Sequence, residues 1–159
     1  MPASLEMKRV SIETAPGLLA FLCEVETADE AGWFRPHPFT EASIAALCST
    51  DVSDLYYVLV IDQRVIGYGL LRGWDEGYDV PSLGVAIDPE FRGLGLGSLT
   101  MRFLHIAARL HGATRVRLRV AADNHTAIAV YARMGYVFDD VDPAIPGLRQ
   151  LVGFKVIGG

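Results

Sequence analysis

Arg92 to Ser98 reads RGLGLGS, and a helical apolar pattern begins as the glycines end. The first turn of a helix carries unpaired N–H groups and a partial positive charge, and both attract anions. Gly93, Gly95 and Gly97 remove side chains that would block the approach, and glycine lets successive N–H groups converge on one cluster of oxygens. Arg92 adds charge at the edge, while Leu94, Leu96 and Ser98 contribute their amides. The chemistry of such a turn is pyrophosphate binding; the plain alternative is a flexible reversal between strand and helix. Two well-known phosphate loops do not fit. A P-loop ends in Gly-Lys-Ser/Thr, whereas Gly97 is followed by Ser98 and Leu99. A dinucleotide fingerprint needs glycine where Ser98 stands and an acidic residue about 20 positions on, where the chain reads RVRLRV.

The elements that must position this turn follow from periodicity. Met7 to Ile12 reads as a strand; Pro16 suits the first turn of the helix that continues through LLAFLCEV; Thr40 caps a short helix, EASIAALC. YYVLVI and VIGYGLL, joined by the polar DQR, form an antiparallel pair, and SLGVAI is a further strand. After the glycines a helix runs to about His111, its expected buried stripe being Leu96, Leu99, Phe103, Ile106, Ala107 and Leu110. RVRLRV alternates strictly, with Val116, Leu118 and Val120 on one face and Arg115, Arg117 and Arg119 on the other. NHTAIAVYARM is helical and ends at Gly135; YVF and LRQLVGFKVI are the last strands. The chain is expected to be one mixed α/β domain over residues 1–159.

Arg92, Gly95 and Gly97 match an Arg/Gln-x-x-Gly-x-Gly/Ala motif, preceded by the strand end Val85 to Pro89. Downstream stand Asn124, Ala127, Tyr131 and the pair Gly135 and Tyr136. In these residues, and in element order from Met7 to Val156, the chain resembles the GNAT superfamily of acetyl-CoA-dependent N-acetyltransferases. The resemblance implies a mostly antiparallel twisted sheet of six to seven strands, two splayed parallel strands and about four helices. The splayed strands would be Ser82 to Asp88 and Arg115 to Val120. Pantetheine would enter between them and pair with main-chain groups along Val85, Ala86 and Ile87. The amides from Arg92 to Ser98 would hold the pyrophosphate, with Asn124, Ala127 and Tyr131 beside the cofactor arm.

The implied reaction is direct acetyl transfer from a thioester to an amine, which needs an oxyanion donor and a proton for the leaving thiolate. The Ile87 N–H is the expected oxyanion donor and Tyr131 the expected acid; Asn124 and Tyr131 are seven positions apart, on one helical face. The plain reading of Tyr131 is a core aromatic. By the same resemblance the acceptor groove draws on Ala31 to Phe39 and Gly73 to Asp79. Trp33, Phe34, His37, Trp74 and Tyr78 offer aromatic surface there, and Asp75, Glu76 and Asp79 offer carboxylates for an ammonium group. His37, Glu76 and Asp79 are candidate bases, with solvated loop charges as the plain reading. The arginines of RVRLRV read as a surface stripe, or, if they face the groove, as recognition of an anionic substrate such as an amino acid or a nucleotide-linked amino sugar.

A net charge of −5 argues against nucleic acid or an anionic membrane as the main partner. The N-terminus lacks a signal-peptide core and no apolar run is long enough to span a bilayer, so a cytoplasmic protein is expected. Cys23 and Cys48 are expected as buried reduced thiols, and no spacing suggests a metal. The expected acceptor is a primary amine of a small molecule. A protein N-terminus, or a non-catalytic acyl-CoA sensor, are the alternatives. A homodimer is common in the family, and the apolar C-terminal strand is expected to offer an edge for it.

Overall fold

The computed structural model describes residues 3–28, 34–142 and 149–158. A seven-stranded sheet has the order β1(Leu5–Arg9), β2(Leu55–Ile61), β3(Arg64–Arg72), β4(Ser82–Ile87), β5(Arg115–Ala121), β7(Gln150–Val156), β6(Val137–Asp142). Every neighbouring pair is antiparallel except β4 and β5, which run parallel. Helices α1(Ala15–Ala28) and α2(Glu41–Leu47) cover one face, and α3(Leu96–Leu110) and α4(His125–Arg133) cover the other.

Alternation in the strands divides the core between those two layers. Tyr56, Val58, Tyr68 and Leu70 meet Leu18, Phe21, Leu22 and Ile44 of α1 and α2. Leu71, Leu83, Val116, Leu118 and Val120 meet Met101, Leu104 and Ala108 of α3. Leu18, Leu22 and Leu104 are fully buried, and each contributes on the order of 2 kcal/mol by removal of apolar surface from water. The β2–β3 connection is a two-residue turn in which Asp62 and Gln63 have φ of 46° and 74°, the left-handed pair that matches strand twist. Thr40 caps α2 by accepting the Ser43 N–H, as its sequence position predicts.

Four sequence expectations are corrected. The first strand ends at Arg9, because Ser11 donates its N–H to Thr14 Oγ1 at 2.9 Å and the chain turns into α1. The buried stripe of α3 is Leu96, Thr100, Met101, Leu104 and Ala108; Ile106 and Leu110 of the expected stripe are 62% and 84% exposed. Thr100 can be buried because its hydroxyl donates to the Leu96 carbonyl at 2.7 Å, and Gly69 of β3 leaves room: a Cβ there would lie 2.9 Å from Thr100 Cγ2. Both cysteines are free, but Cys23 is exposed and Cys48 half-buried. Finally, β7 is not an edge, since it inserts between β5 and β6 and pairs with both.

Among the described residues, no helix is long and apolar enough to cross a membrane.

Candidate active site

The ladder between β3 and β4 decides which way the β4 amides point. Asp88 donates its N–H to the Ile66 carbonyl at 2.8 Å, and Gly67 pairs with Ile87, Gly69 with Val85. Bonded and non-bonded pairs alternate along an antiparallel ladder, so the main-chain groups of Val85 and Ile87 turn away from β3 toward β5. Yet β5 meets β4 in register at a single pair, Ser82 with Arg117, supported by the Arg117 N–H donating to the Pro81 carbonyl at 3.0 Å. Beyond Ser82 the strands part, and Val85 and Ile87 line the opening with their N–H and C=O groups. Ala86 pairs with Tyr68, so its main chain belongs to β3 and its side chain packs toward α1 and α2.

The turn that follows is clamped at its base and open at its tip. Asp88, only 6% exposed, accepts the Glu90 N–H at 2.9 Å and pairs with Arg64 at 2.9 Å; Arg64 also reaches Glu90 and lies over the Phe91 ring. The Arg92 N–H is directed at the Pro89 carbonyl, 3.4 Å away, and its side chain is exposed. Gly93 and Gly95 have φ of 81° and 82°, left-handed conformations that favour glycine, and a Cβ on either would meet no atom within 4 Å. Gly95 caps α3, whose first internal bond is the Leu99 N–H to the Gly95 carbonyl at 3.0 Å. The amides of Leu96, Gly97 and Ser98 therefore have no acceptor within the helix and point out of its positive end. Leu96 anchors the turn against Leu59 and Ile66, while Leu94 is exposed.

On α4, Asn124 is the N-cap, and its Oδ1 accepts the Ala127 N–H at 3.2 Å. That bond commits one side-chain atom of Asn124 to the helix and leaves its amide NH2 as a donor. Tyr131 packs half-buried in the layer that includes Leu83, Val85, Leu118 and Ala127, and burial pushes its phenol pKa up. Its ring centre lies 6.0 Å from that of Tyr136, whose hydroxyl is 2.7 Å from His105 Nε2. Burial, and secondarily the charge of Lys155, push His105 down to about 4, so the imidazole is neutral at pH 7 and Nε2 can accept the Tyr136 proton.

The α1/α2 face of the same strands holds a cleft of about 430 Å³ lined by residues of the α1–α2 connection, the β3–β4 loop and the strands themselves. Phe34, Glu76 and Tyr78 line it, as do Arg72, Arg117 and Arg119. The other sequence candidates are placed differently. Trp74 rests against His111, ring centres 4.2 Å apart, and packs on the α3 layer. Asp79 is exposed and outside the lining, and Trp33 lies outside the described residues. His37 has both nitrogens engaged: Nδ1 must donate to the Pro38 carbonyl at 2.9 Å, so Nε2 accepts from the buried Tyr68 hydroxyl at 2.8 Å. Burial lowers its pKa, in keeping with a neutral ring held among Phe39, Tyr56 and Tyr68. Arg115, third of the expected stripe, stacks over Phe154 instead of lining the cleft.

Two features of this face were not read from sequence. Arg72 ends β3 and donates through Nη1 to the Pro36 carbonyl, which ties the α1–α2 connection to the sheet. Asp54, 2% exposed, accepts the N–H groups of Gly73, Trp74 and Asp75 through Oδ1, and Asp75 accepts those of Ser53 and Asp54. Burial raises the Asp54 carboxyl against the pull of those hydrogen bonds; for Asp75 the hydrogen bonds from Ser53 and Asp54 dominate and lower it. An aspartate just before a strand is the only signal available for such a clasp, and it is shared by many loops.

Among solved structures, the chain is similar to the PaiA N-acetyltransferase of Thermoplasma acidophilum, in complex with coenzyme A. The identity is 17%, the TM-score 0.78, and 96% of this chain and 99% of that one are covered. It is also similar to the ribosomal-protein-S18-alanine N-acetyltransferase of Escherichia coli, at 18% identity and TM-score 0.72, over 98% and 96% of the two chains. A third likeness is to YncA of Salmonella typhimurium with its cofactor acetyl-CoA, at 15% identity and TM-score 0.77, over 96% and 94%. At such identities these structures speak for the fold. The model of the acetyltransferase (GNAT) family matches the sequence itself over residues 19–136. Because that match runs from α1 through the glycine turn and Tyr131 to Tyr136, well over half of the chain, the protein belongs to the acetyltransferase (GNAT) family.

Proposed function

We propose that residues 1–159 act as one catalytic unit that transfers acetyl from acetyl-CoA directly to a primary amine of a small molecule. The observation that carries this reading is the gap beyond Ser82, where, among the described residues, no strand pairs with the β5-facing main-chain groups of Val85 and Ile87, next to an unobstructed helix start. The open space over Gly93 and Gly95 fits a diphosphate, and the gap fits an amide-bearing arm that adds to the sheet as a strand would. When bound, acetyl-CoA supplies an activated thioester carbonyl. The amides from Gly93 to Ser98, with Arg92 at the rim, hold its phosphates, and Val85 and Ile87 orient its arm. Asn124 offers its amide NH2 alongside.

The amine nitrogen bonds to the carbonyl carbon as the carbon–sulfur bond breaks. The Ile87 N–H stabilises the charge that develops on the carbonyl oxygen, and the Tyr131 phenol gives its proton to the departing sulfur. A phenol whose pKa burial raises stays protonated at neutral pH, which suits a proton donor. The proton lost by the attacking nitrogen leaves through the cleft, where the Glu76 carboxylate lines the wall, and the Tyr131 phenolate takes up a proton from solvent before the next turnover.

Thiol release from acetyl-CoA, measured across a panel of small amines, tests the reading. At least one amine should drive release well above the amine-free rate. Thermal stabilisation by acetyl-CoA with no amine-dependent thiol would instead mark a binding module.

A further inference from the structure

Charge in the acceptor cleft runs opposite to charge in the whole chain. The protein carries a net −5, yet among the described residues the cleft lining holds Arg72, Arg117 and Arg119 beside the carboxylate of Glu76, with Arg35 also on the wall and paired to Glu26 at 3.6 Å. Like charges gathered on a partly desolvated wall repel one another, so an anion that enters between them is favoured. Among the described residues, Arg72 Nε and Arg117 Nε are both buried with no acceptor. Leaving a buried donor unpaired costs about 1–3 kcal/mol, and more when it is charged.

Register places these two side chains as a pair. Ser82 is the Cα partner of Arg72 on one side and of Arg117 on the other, so the three residues form one row across β3, β4 and β5. Neighbouring strands are about 4.8 Å apart, so the two arginine stems stand about 10 Å apart on the same face, flanking a serine. The bond from Arg72 Nη1 to the Pro36 carbonyl fixes one guanidinium in place. Arg119, two residues further along β5 on the same face, lies on the side where the strands have parted. The row therefore sits at the mouth of the gap between β4 and β5.

We propose that the acceptor is an amine that carries its own anion, a carboxylate or a phosphate, and that Arg72 and Arg117 clamp this anion from two sides. This specificity rests on the acetyl-transfer reading above. Guanidinium forks match the planar oxygens of a carboxylate or phosphate, and Glu76 supplies the opposite charge for the amine end of the same molecule. An amino acid or an amino-sugar phosphate has this layout; a polyamine does not.

The test compares matched amines at saturating acetyl-CoA: a panel of amino acids against their carboxamides, and glucosamine 6-phosphate against glucosamine. The anionic member of at least one pair should show a kcat/KM higher by about tenfold or more. The two sets of pairs separate a carboxylate from a phosphate. Arg117→Gln and Arg72→Gln should each raise the KM for that anionic amine by about tenfold, leave the KM for acetyl-CoA within about twofold, and remove the preference over the neutral analogue. Arg117→Lys, which keeps the charge and loses the fork, should fall between, and it serves if the glutamine variant does not fold. Equal turnover of neutral and anionic members overturns the inference, as does a rise in the acetyl-CoA KM alone, which would assign the arginines to the donor's phosphates. If no amine releases thiol, the transfer reading falls by itself. The clamp is then judged by thermal shift, where stabilisation by the anionic members, absent with their neutral analogues and lost in Arg117→Gln, upholds it and its absence overturns it.

Discussion

The two sides of the opening between β4 and β5 are built from different material. On the side we assign to the donor the groups on offer are main-chain amides: Val85 and Ile87 along the strand, and Leu96, Gly97 and Ser98 at the start of α3. On the side we assign to the acceptor they are side chains: Arg72, Arg117, Arg119 and Glu76 around a cleft. A main-chain donor survives almost any substitution as long as the backbone keeps its path, so the donor side is tied to the fold. A side-chain wall changes with each replacement while the sheet stays intact, so the acceptor side is free to diverge under the same architecture.

The contrast can be broken or sharpened by substitution. The largest effect is expected at Tyr131, the proton donor we propose: Tyr131→Phe should lower kcat by about 10²-fold or more, with acetyl-CoA affinity unchanged by calorimetry. An unaltered kcat would return Tyr131 to the core. Gly95→Val should weaken acetyl-CoA binding by about thirtyfold, because a β-branched residue is strained at φ 82° and its side chain fills the open space over the turn. Binding at wild-type strength in that variant would show that the turn is not the phosphate seat.

A smaller effect is expected beside the phenols, in stability against pH. His105 has its pKa depressed from 6.5 to about 4, first by burial and then by Lys155. Above 6.5 both folded and unfolded states hold it neutral. Between 6.5 and about 4 only the unfolded chain takes up the proton, so stability falls as pH falls, and below about 4 the loss is complete. Allowing for solvent screening of a half-buried ring, the loss is about 1–2 kcal/mol. Urea midpoints should show this slope in the wild type and a flatter one in His105→Gln; equal slopes would mean that another group sets it. The smallest effect is expected at Val85→Ile, with a change of at most about twofold in the acetyl-CoA KM, because the strand presents its backbone there and not its side chain. A tenfold change would move that site from backbone to side-chain recognition.

The same division explains what the sequence discloses. The donor side is legible because its residues are conformational markers: Gly93 and Gly95 do adopt positive φ, Asn124 does cap α4, and the strict alternation of RVRLRV does send Val116, Leu118 and Val120 inward. The acceptor side depends on which loop residues turn inward, and no local rule fixes that. Trp74 and His37 are aromatic loop residues like Phe34 and Tyr78, yet one packs on His111 and the other is locked to Tyr68. Helix α3 misleads for another reason. It carries apolar residues on two faces, and a glycine in a distant strand, Gly69, decides which one is buried. Similarly, β7 is read correctly as a strand, but its place between β5 and β6 is a matter of long-range pairing.

The reciprocal bonds between Asp54 and Asp75 bear on redesign. Three amides of the segment 73–75 converge on a carboxylate that is 2% exposed, so this foot of the loop has one permitted path. Shifting it strands a buried anion. The tip from Gly77 to Asp79 is exposed throughout, and two of its amides are fastened back, Gly77 to the Trp74 carbonyl at 3.0 Å and Tyr78 to the Gly73 carbonyl at 2.9 Å. If this loop borders the acceptor, as we propose, retargeting is a matter of grafting new tips onto an unaltered foot, and substitutions at Gly73, with its φ of 132°, or at Asp75, whose carboxylate accepts two amides, will cost more stability than substitutions in the tip.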